Sequence, residues 1–119
     1  MLKITLGILG GGQLGSMLSV AAKKLNIKTI IYCDDKHAPA QNFCDEFVFA
    51  SYDNKEKIYD FAKKVDIITY EFENIPINIL KEIDKEKKVL PKPEINKIIQ
   101  NRKLEKTFVN DLGIKTTDW

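Results

Sequence analysis

At 119 residues the chain is long enough for one domain with a real core, and 44% hydrophobic with 30% charged residues is ordinary globular composition. A net charge of +2, carried by scattered lysines, argues against nucleic acid or a membrane surface as partner, and no apolar run approaches the ~20 residues of a membrane span. Two cysteines without a CxxC spacing, a single histidine (His37) without a partner at ligand spacing, and no secretory pattern at the start predict a metal-free cytoplasmic protein.

Leu6, Ile8 and Leu9 read as a buried strand that runs into a glycine cluster. Leu14, Met17, Leu18, Ala21, Ala22 and Leu25 then recur at helical spacing, predicting an amphipathic first helix with that face toward the core. Asn26 supplies its stop, and Lys28–Tyr32 is a β-branched second strand with Asp34 and Asp35 at its carboxyl end. A loop around Pro39 leads to a short third strand at Phe47–Phe49. Asp53 or Asn54 can cap a helix that buries Ile58, Phe61, Ala62 and Val65. Ile67–Tyr70 is apolar enough for a central strand, and Asn74 and Pro76 precede a helix with Ile79, Leu80 and Ile83 inward.

Lys88–Leu90 reads as a brief fifth strand ended by Pro91. Pro93 opens a helix with Ile95, Ile98 and Ile99 inward, and a last helix runs from near Arg102 through Leu104, Phe108 and Leu112 to Gly113. The β-α alternation predicts an α/β fold, a doubly wound, mainly parallel five-stranded Rossmann-like sheet. Residues 114–119 look like the approach to a further strand, and the lone Trp119 has little to pack against. The expectation is a domain over 1–113, with 114–119 starting a connection to a further domain.

Three motifs carry chemistry. Gly10, Gly12 and Gly15 satisfy G-x-G-x-x-G with Asp34 roughly twenty residues on, the pattern of a dinucleotide site. Close helix–strand packing selects the same glycines, so the pattern alone leaves both readings open; a helix start with free N–H groups nonetheless predicts an anionic or hydrogen-bonding ligand. Tyr70–Pro76 follows the fourth strand, where open α/β sheets bind ligands, and strand alternation puts Glu71 and Glu73 on one side. Two acids there could equally be a solvated strand end. Arg102 is the only arginine in a chain that otherwise uses lysine. Its planar fork suits bidentate phosphate contact, although a plain surface charge is the alternative.

Taken together, Gly10-x-Gly12-Gln13-Leu14-Gly15-x-Met17-Leu18, Thr69–Pro76, and Asn101-Arg102-x-x-Glu105-Lys106 with Gly113-Ile114-x-Thr116 resemble the amino-terminal, pre-ATP-grasp domain of the 5-(carboxyamino)imidazole ribonucleotide synthetases. These are the ATPase subunits of phosphoribosylaminoimidazole carboxylase, in the ATP-grasp superfamily. The resemblance implies an ATP-dependent carbon–nitrogen ligase of purine biosynthesis, with bicarbonate activated as carboxyphosphate and the amine of aminoimidazole ribonucleotide carboxylated. It places Gln13, Leu14 and Glu71 on the ribonucleotide and Arg102 on ATP, with Glu73 and Asn74 as supports. It implies ATP and Mg²⁺ for the full-length enzyme, which is expected to be a homodimer, and neither cofactor bound by these residues alone. No catalytic or metal-ligating residue of the family has a counterpart here, so the isolated chain is expected to be inactive. Ser16 departs from the basic residue common at that place. The competing readings are an NAD(P)-binding domain, in which Gln13-Leu14 and the Glu71/Glu73 pair would have no task, and a non-catalytic interaction module.

Overall fold

A computed structural model of the chain describes residues 3–117. Strand β1 (Thr5–Leu9) leads through the glycine turn into helix α1 (Gln13–Lys24), then β2 (Lys28–Cys33), a 3₁₀ turn at Pro39–Asn42, and β3 (Glu46–Phe49). Helix α2 (Lys55–Lys63), β4 (Ile67–Tyr70), α3 (Ile77–Asp84), α4 (Pro93–Ile99) and α5 (Arg102–Asp111) follow. All strand pairs are parallel, in the order β3-β2-β1-β4. The chain therefore winds outward from β1 to β3 and then returns to the other side of β1, which makes the carboxyl ends of β1 and β4 a topological switch point.

Alternation along the strands splits the core between the two faces of the sheet. Leu9, Ile30, Tyr32 and Ile68 pack with Ile58, Phe61, Ile79, Leu80 and Ile83 of α2 and α3. Ile8, Ile31 and Cys33 point the other way, onto Ala38 and Ala40. Each large side chain removed from water here contributes about 1.5–3 kcal/mol. Local signals end the helices where expected: Asn54 Oδ1 accepts from Lys57 N at 3.1 Å, and Asn26 sits at φ 59° beyond α1. The Ile27 N–H reaches back to the Ala22 carbonyl at 2.9 Å, completing a Schellman stop. Gly113, at φ 81°, closes α5 in the same manner.

Two expectations are corrected. The sheet has four strands, because the fifth segment pairs only through one bridge, Ile68 to Val89. Ile68 N donates to the Lys88 carbonyl and Leu90 N to the Ile68 carbonyl, both at 2.9 Å; Pro91, which has no N–H, then stops the ladder. The inward faces of three helices also differ from the periodicity. Helix α1 buries Gly15, Ser19 and Ala22, while Leu14 and Met17 are 56% and 59% exposed, and Leu18, Ala21 and Leu25 are exposed too. The reason is distance: a Cβ at Gly15 would stand 2.9 Å from the Gly10 carbonyl oxygen, so only the small-residue face fits against the sheet. Helix α4 likewise buries Pro93 and Asn96 while Ile95 and Ile99 stay exposed, and α5 buries nothing, leaving Leu104, Phe108 and Leu112 open. Residues 114–117 form no strand, and the expectation for Trp119 lies outside the described residues.

The aromatic cluster beneath the site predicts an alkaline limit to stability. Tyr32 is buried and donates to the Ser51 carbonyl; burial first, and Asp34 second, push its hydroxyl up to about 12. Tyr52 is raised in the same direction, by burial above all and then by Cys33. The fold holds the neutral phenols, so stability is fully present below the ordinary value near 10 and declines as pH rises from there toward 12. Circular dichroism followed beside tyrosinate absorbance should show this loss; constant stability across that interval would contradict it.

Candidate functional site

The site forms where β1 and β4 end side by side. Gly10 follows β1 at φ 109°, a conformation that L side chains rarely adopt. A Cβ there would stand 2.5 Å from Glu71 Oε1, so the turn is shaped around the glutamate. The Glu71 N–H continues the ladder by donating to the Leu9 carbonyl at 3.1 Å, and its carboxylate then folds back over the turn. Oε1 accepts from the Gly12 N–H at 3.1 Å. Gly12 is the N-cap of α1 and has no side chain to cap the helix, so the carboxylate of Glu71, the residue after β4, occupies the favourable end of the helix dipole.

The turn is less open than its glycines suggest. The Gly10 N–H donates to the Tyr32 carbonyl at 2.9 Å, and the Gly12 N–H is taken by Glu71. The N–H groups of Gln13, Leu14 and Gly15, in the first turn of α1, have no partner among the described residues. Any anion is therefore directed to that first turn, away from the Glu71 carboxylate, while donors are directed to Glu71. Of the two readings of Gly15, close packing is the one its surroundings explain.

Leu14 and Glu71 line one groove, together with Met17, Leu18, Ala21 and Tyr70. Its wall is mostly apolar, which suits the face of a flat ring, with one carboxylate to accept from amine or hydroxyl groups. The Tyr70 hydroxyl is buried without a partner among the described residues, and burial raises its pKa, so it stays protonated. Gln13 is exposed beside this groove at the first position of α1.

Strand β4 ends at Tyr70, so alternation does not extend to Glu73. That residue is exposed in the turn after the strand, and the expected pair of facing carboxylates reduces to Glu71 alone. Asn74 is exposed in the same turn. Arg102 is exposed at the first position of α5, and makes no ion pair among the described residues. Asp34 is exposed after β2. The residue that sequence reasoning missed is Gln100, whose side-chain amide donates to the Glu73 and Ile75 carbonyls at 2.6 and 2.7 Å. A lone glutamine at a helix end offers no local signal for such a contact. Phe72 also anchors the loop, its ring stacked on Tyr52 at 6.2 Å between centroids.

Among the described residues no group of three His, Cys, Asp or Glu side chains converges to hold a metal, and no helix is long and apolar enough to cross a membrane. A parallel α/β domain with a carboxylate folded onto a helix start at its switch point belongs to the class that binds small, hydrogen-bonding ligands at strand ends. The chain belongs, more particularly, to the ribonucleotide synthetase preATP-grasp domain family, whose model matches residues 2–100. It is 40% identical over 115 residues to the N5-carboxyaminoimidazole ribonucleotide synthase of Brucella melitensis, covering 97% of this chain and 32% of that protein. The structure superposes on the ADP complex of an N5-carboxyaminoimidazole ribonucleotide synthetase with a TM-score of 0.92 at 34% identity, over 99% of this chain and 32% of that one. It also matches the Aspergillus clavatus synthase in complex with ADP and 5-aminoimidazole ribonucleotide (TM-score 0.86, 32% identity, 98% of this chain and 31% of that one). The chain thus spans about a third of the length of these relatives.

Proposed function

We propose that this chain is the ribonucleotide-binding, amino-terminal domain of a cytoplasmic, homodimeric ATP-dependent ligase that carboxylates 5-aminoimidazole ribonucleotide with bicarbonate in purine biosynthesis. The observation that carries the reading is the Glu71 carboxylate held on the Gly12 N–H at 3.1 Å, in one groove with Leu14, in a member of this family. Glu71 keeps its second oxygen for the donors of the ribonucleotide, and Leu14 lies against the ring. The free N–H groups at the start of α1, Gln13 included, take the anionic end. Arg102 serves the nucleotide side, where ATP supplies the phosphoryl group that activates bicarbonate. Residues 1–113 are the substrate-binding domain and 114–119 the link to the ATP-grasp part.

Phosphoryl transfer belongs to the ATP-grasp part of the ligase. Positioning is this domain's part of the chemistry. The Glu71 carboxylate also disfavours the dinucleotide alternative, because it sits on the amide that a pyrophosphate would need.

The test is the amide spectrum of the isotope-labelled chain titrated with 5-aminoimidazole ribonucleotide. Saturable movement of the Gly12, Gln13 and Leu14 resonances is the expected result, with no turnover of ATP by the chain alone. Resonances unmoved by the ribonucleotide, or moved by NADH at lower concentration, would overturn the reading.

A further inference from the structure

We infer that Gln100 positions the Glu71 carboxylate. The segment between β4 and α3 has no regular structure, and the structure ties it down at few places. At its start the Glu71 N–H is bound to the Leu9 carbonyl, and the Phe72 ring rests on Tyr52. Past that point the loop is held by the end of α4. Gln100 Nε2 donates to the Glu73 carbonyl at 2.6 Å and to the Ile75 carbonyl at 2.7 Å. A carboxamide nitrogen has two hydrogens, and both are used. The amide thus spans the turn at Glu73–Ile75 and sets its curvature.

The anchor behind that amide is firm. Gln100 is the C-cap of α4, and its own N–H donates to the Asn96 carbonyl at 2.9 Å, with Asn96 fully buried. Arg102 opens α5 just beyond it. One side chain therefore connects the junction of α4 and α5 to the loop that carries Glu71. A shift of α5 would be passed to the carboxylate through two carbonyls. The Glu73 bond and Gln100 itself are exposed but the Ile75 bond is part-buried, so losing the amide also leaves a carbonyl unpaired and lowers the melting temperature. What it removes is the restraint on the part of the loop that follows Glu71 and Phe72.

The ligand part of this inference rests on the proposed function; the positioning part does not. The measurement is the Gly12 amide resonance of the labelled chain, whose proton is bound by Glu71, compared with its position in Glu71→Ala and then followed with 5-aminoimidazole ribonucleotide added. Gln100→Ala is expected to move that resonance toward the position it takes in Glu71→Ala. The same variant should bind the ribonucleotide about tenfold more weakly. Gln100→Glu, which keeps the size but cannot donate when ionised, should do the same, and Gln100→Lys, which keeps a donor, should restore both readings. A general loss of stability would lower the melting temperature without touching the Gly12 resonance of the folded chain. A Gly12 resonance at its parent position in both Gln100→Ala and Gln100→Glu overturns the inference, as does a failure of Gln100→Lys to rescue. If Gly12 responds as expected but the parent chain does not bind the ribonucleotide, the positioning role stands and the proposed ligand falls.

Discussion

Glu71→Gln in the full-length enzyme is expected to raise KM for 5-aminoimidazole ribonucleotide by about 10- to 100-fold while KM for ATP stays unchanged. The carboxamide oxygen can still accept from the Gly12 N–H, so the turn and the start of α1 keep their geometry. What disappears is the negative charge proposed to face the ribonucleotide's donors, and a hydrogen bond to a charged group accounts for about 1.5–3 kcal/mol. Melting temperature should therefore change little, which separates a ligand contact from a structural one. Arg102→Lys is the converse. It retains the charge but loses the planar fork, so the nucleotide affinity should fall and the ribonucleotide affinity should hold. Steady-state kinetics with each substrate varied in turn would decide this, and equal effects of both changes on both substrates would break the division of roles.

Gly10→Ala should damage both stability and binding. At φ 109° a Cβ is strained whatever surrounds it, at a cost of about 1–3 kcal/mol. The new methyl would also stand 2.5 Å from Glu71 Oε1 and 3.0 Å from Cδ and Cγ of the same side chain. The glutamate is the group that can yield, so the carboxylate leaves the Gly12 N–H and the helix start loses its cap. Gly12→Ala is the contrasting variant: its Cβ would meet the same oxygen at 3.5 Å, an ordinary contact, and its φ is negative. Thermal melts of the two variants should differ clearly, with ribonucleotide affinity lost only in Gly10→Ala. Similar melts would show that the turn tolerates a side chain where the geometry leaves no room for one.

What the amino-acid sequence determined by itself is everything that a few neighbouring residues decide. The apolar runs at Leu6–Leu9, Lys28–Tyr32 and Ile67–Tyr70 became strands, Asn54 capped its helix, and Asn26 and Gly113 stopped theirs. The helix ends depend on backbone dihedrals and hydrogen bonds that close within one helical turn, and the strands on short apolar runs that favour extended backbone. The motifs around Gly10–Leu18 and Tyr70–Pro76 begin where β1 and β4 end, and the sheet sets those two ends side by side. Tertiary structure decided the facing of the helices. Periodicity registers Leu14, Met17 and Leu18 strongly and Gly15, Ser19 and Ala22 weakly, yet the small residues are the ones buried, because the helix backbone must come close to the sheet. It also decided that Val89 would contribute one bridge instead of a strand, and that β4 would end before Glu73. Glu71 on the Gly12 N–H and Gln100 on the Glu73 and Ile75 carbonyls join parts of the chain far apart in sequence. No local preference encodes such contacts; they exist only once the winding of the sheet brings the ends of β1 and β4 together.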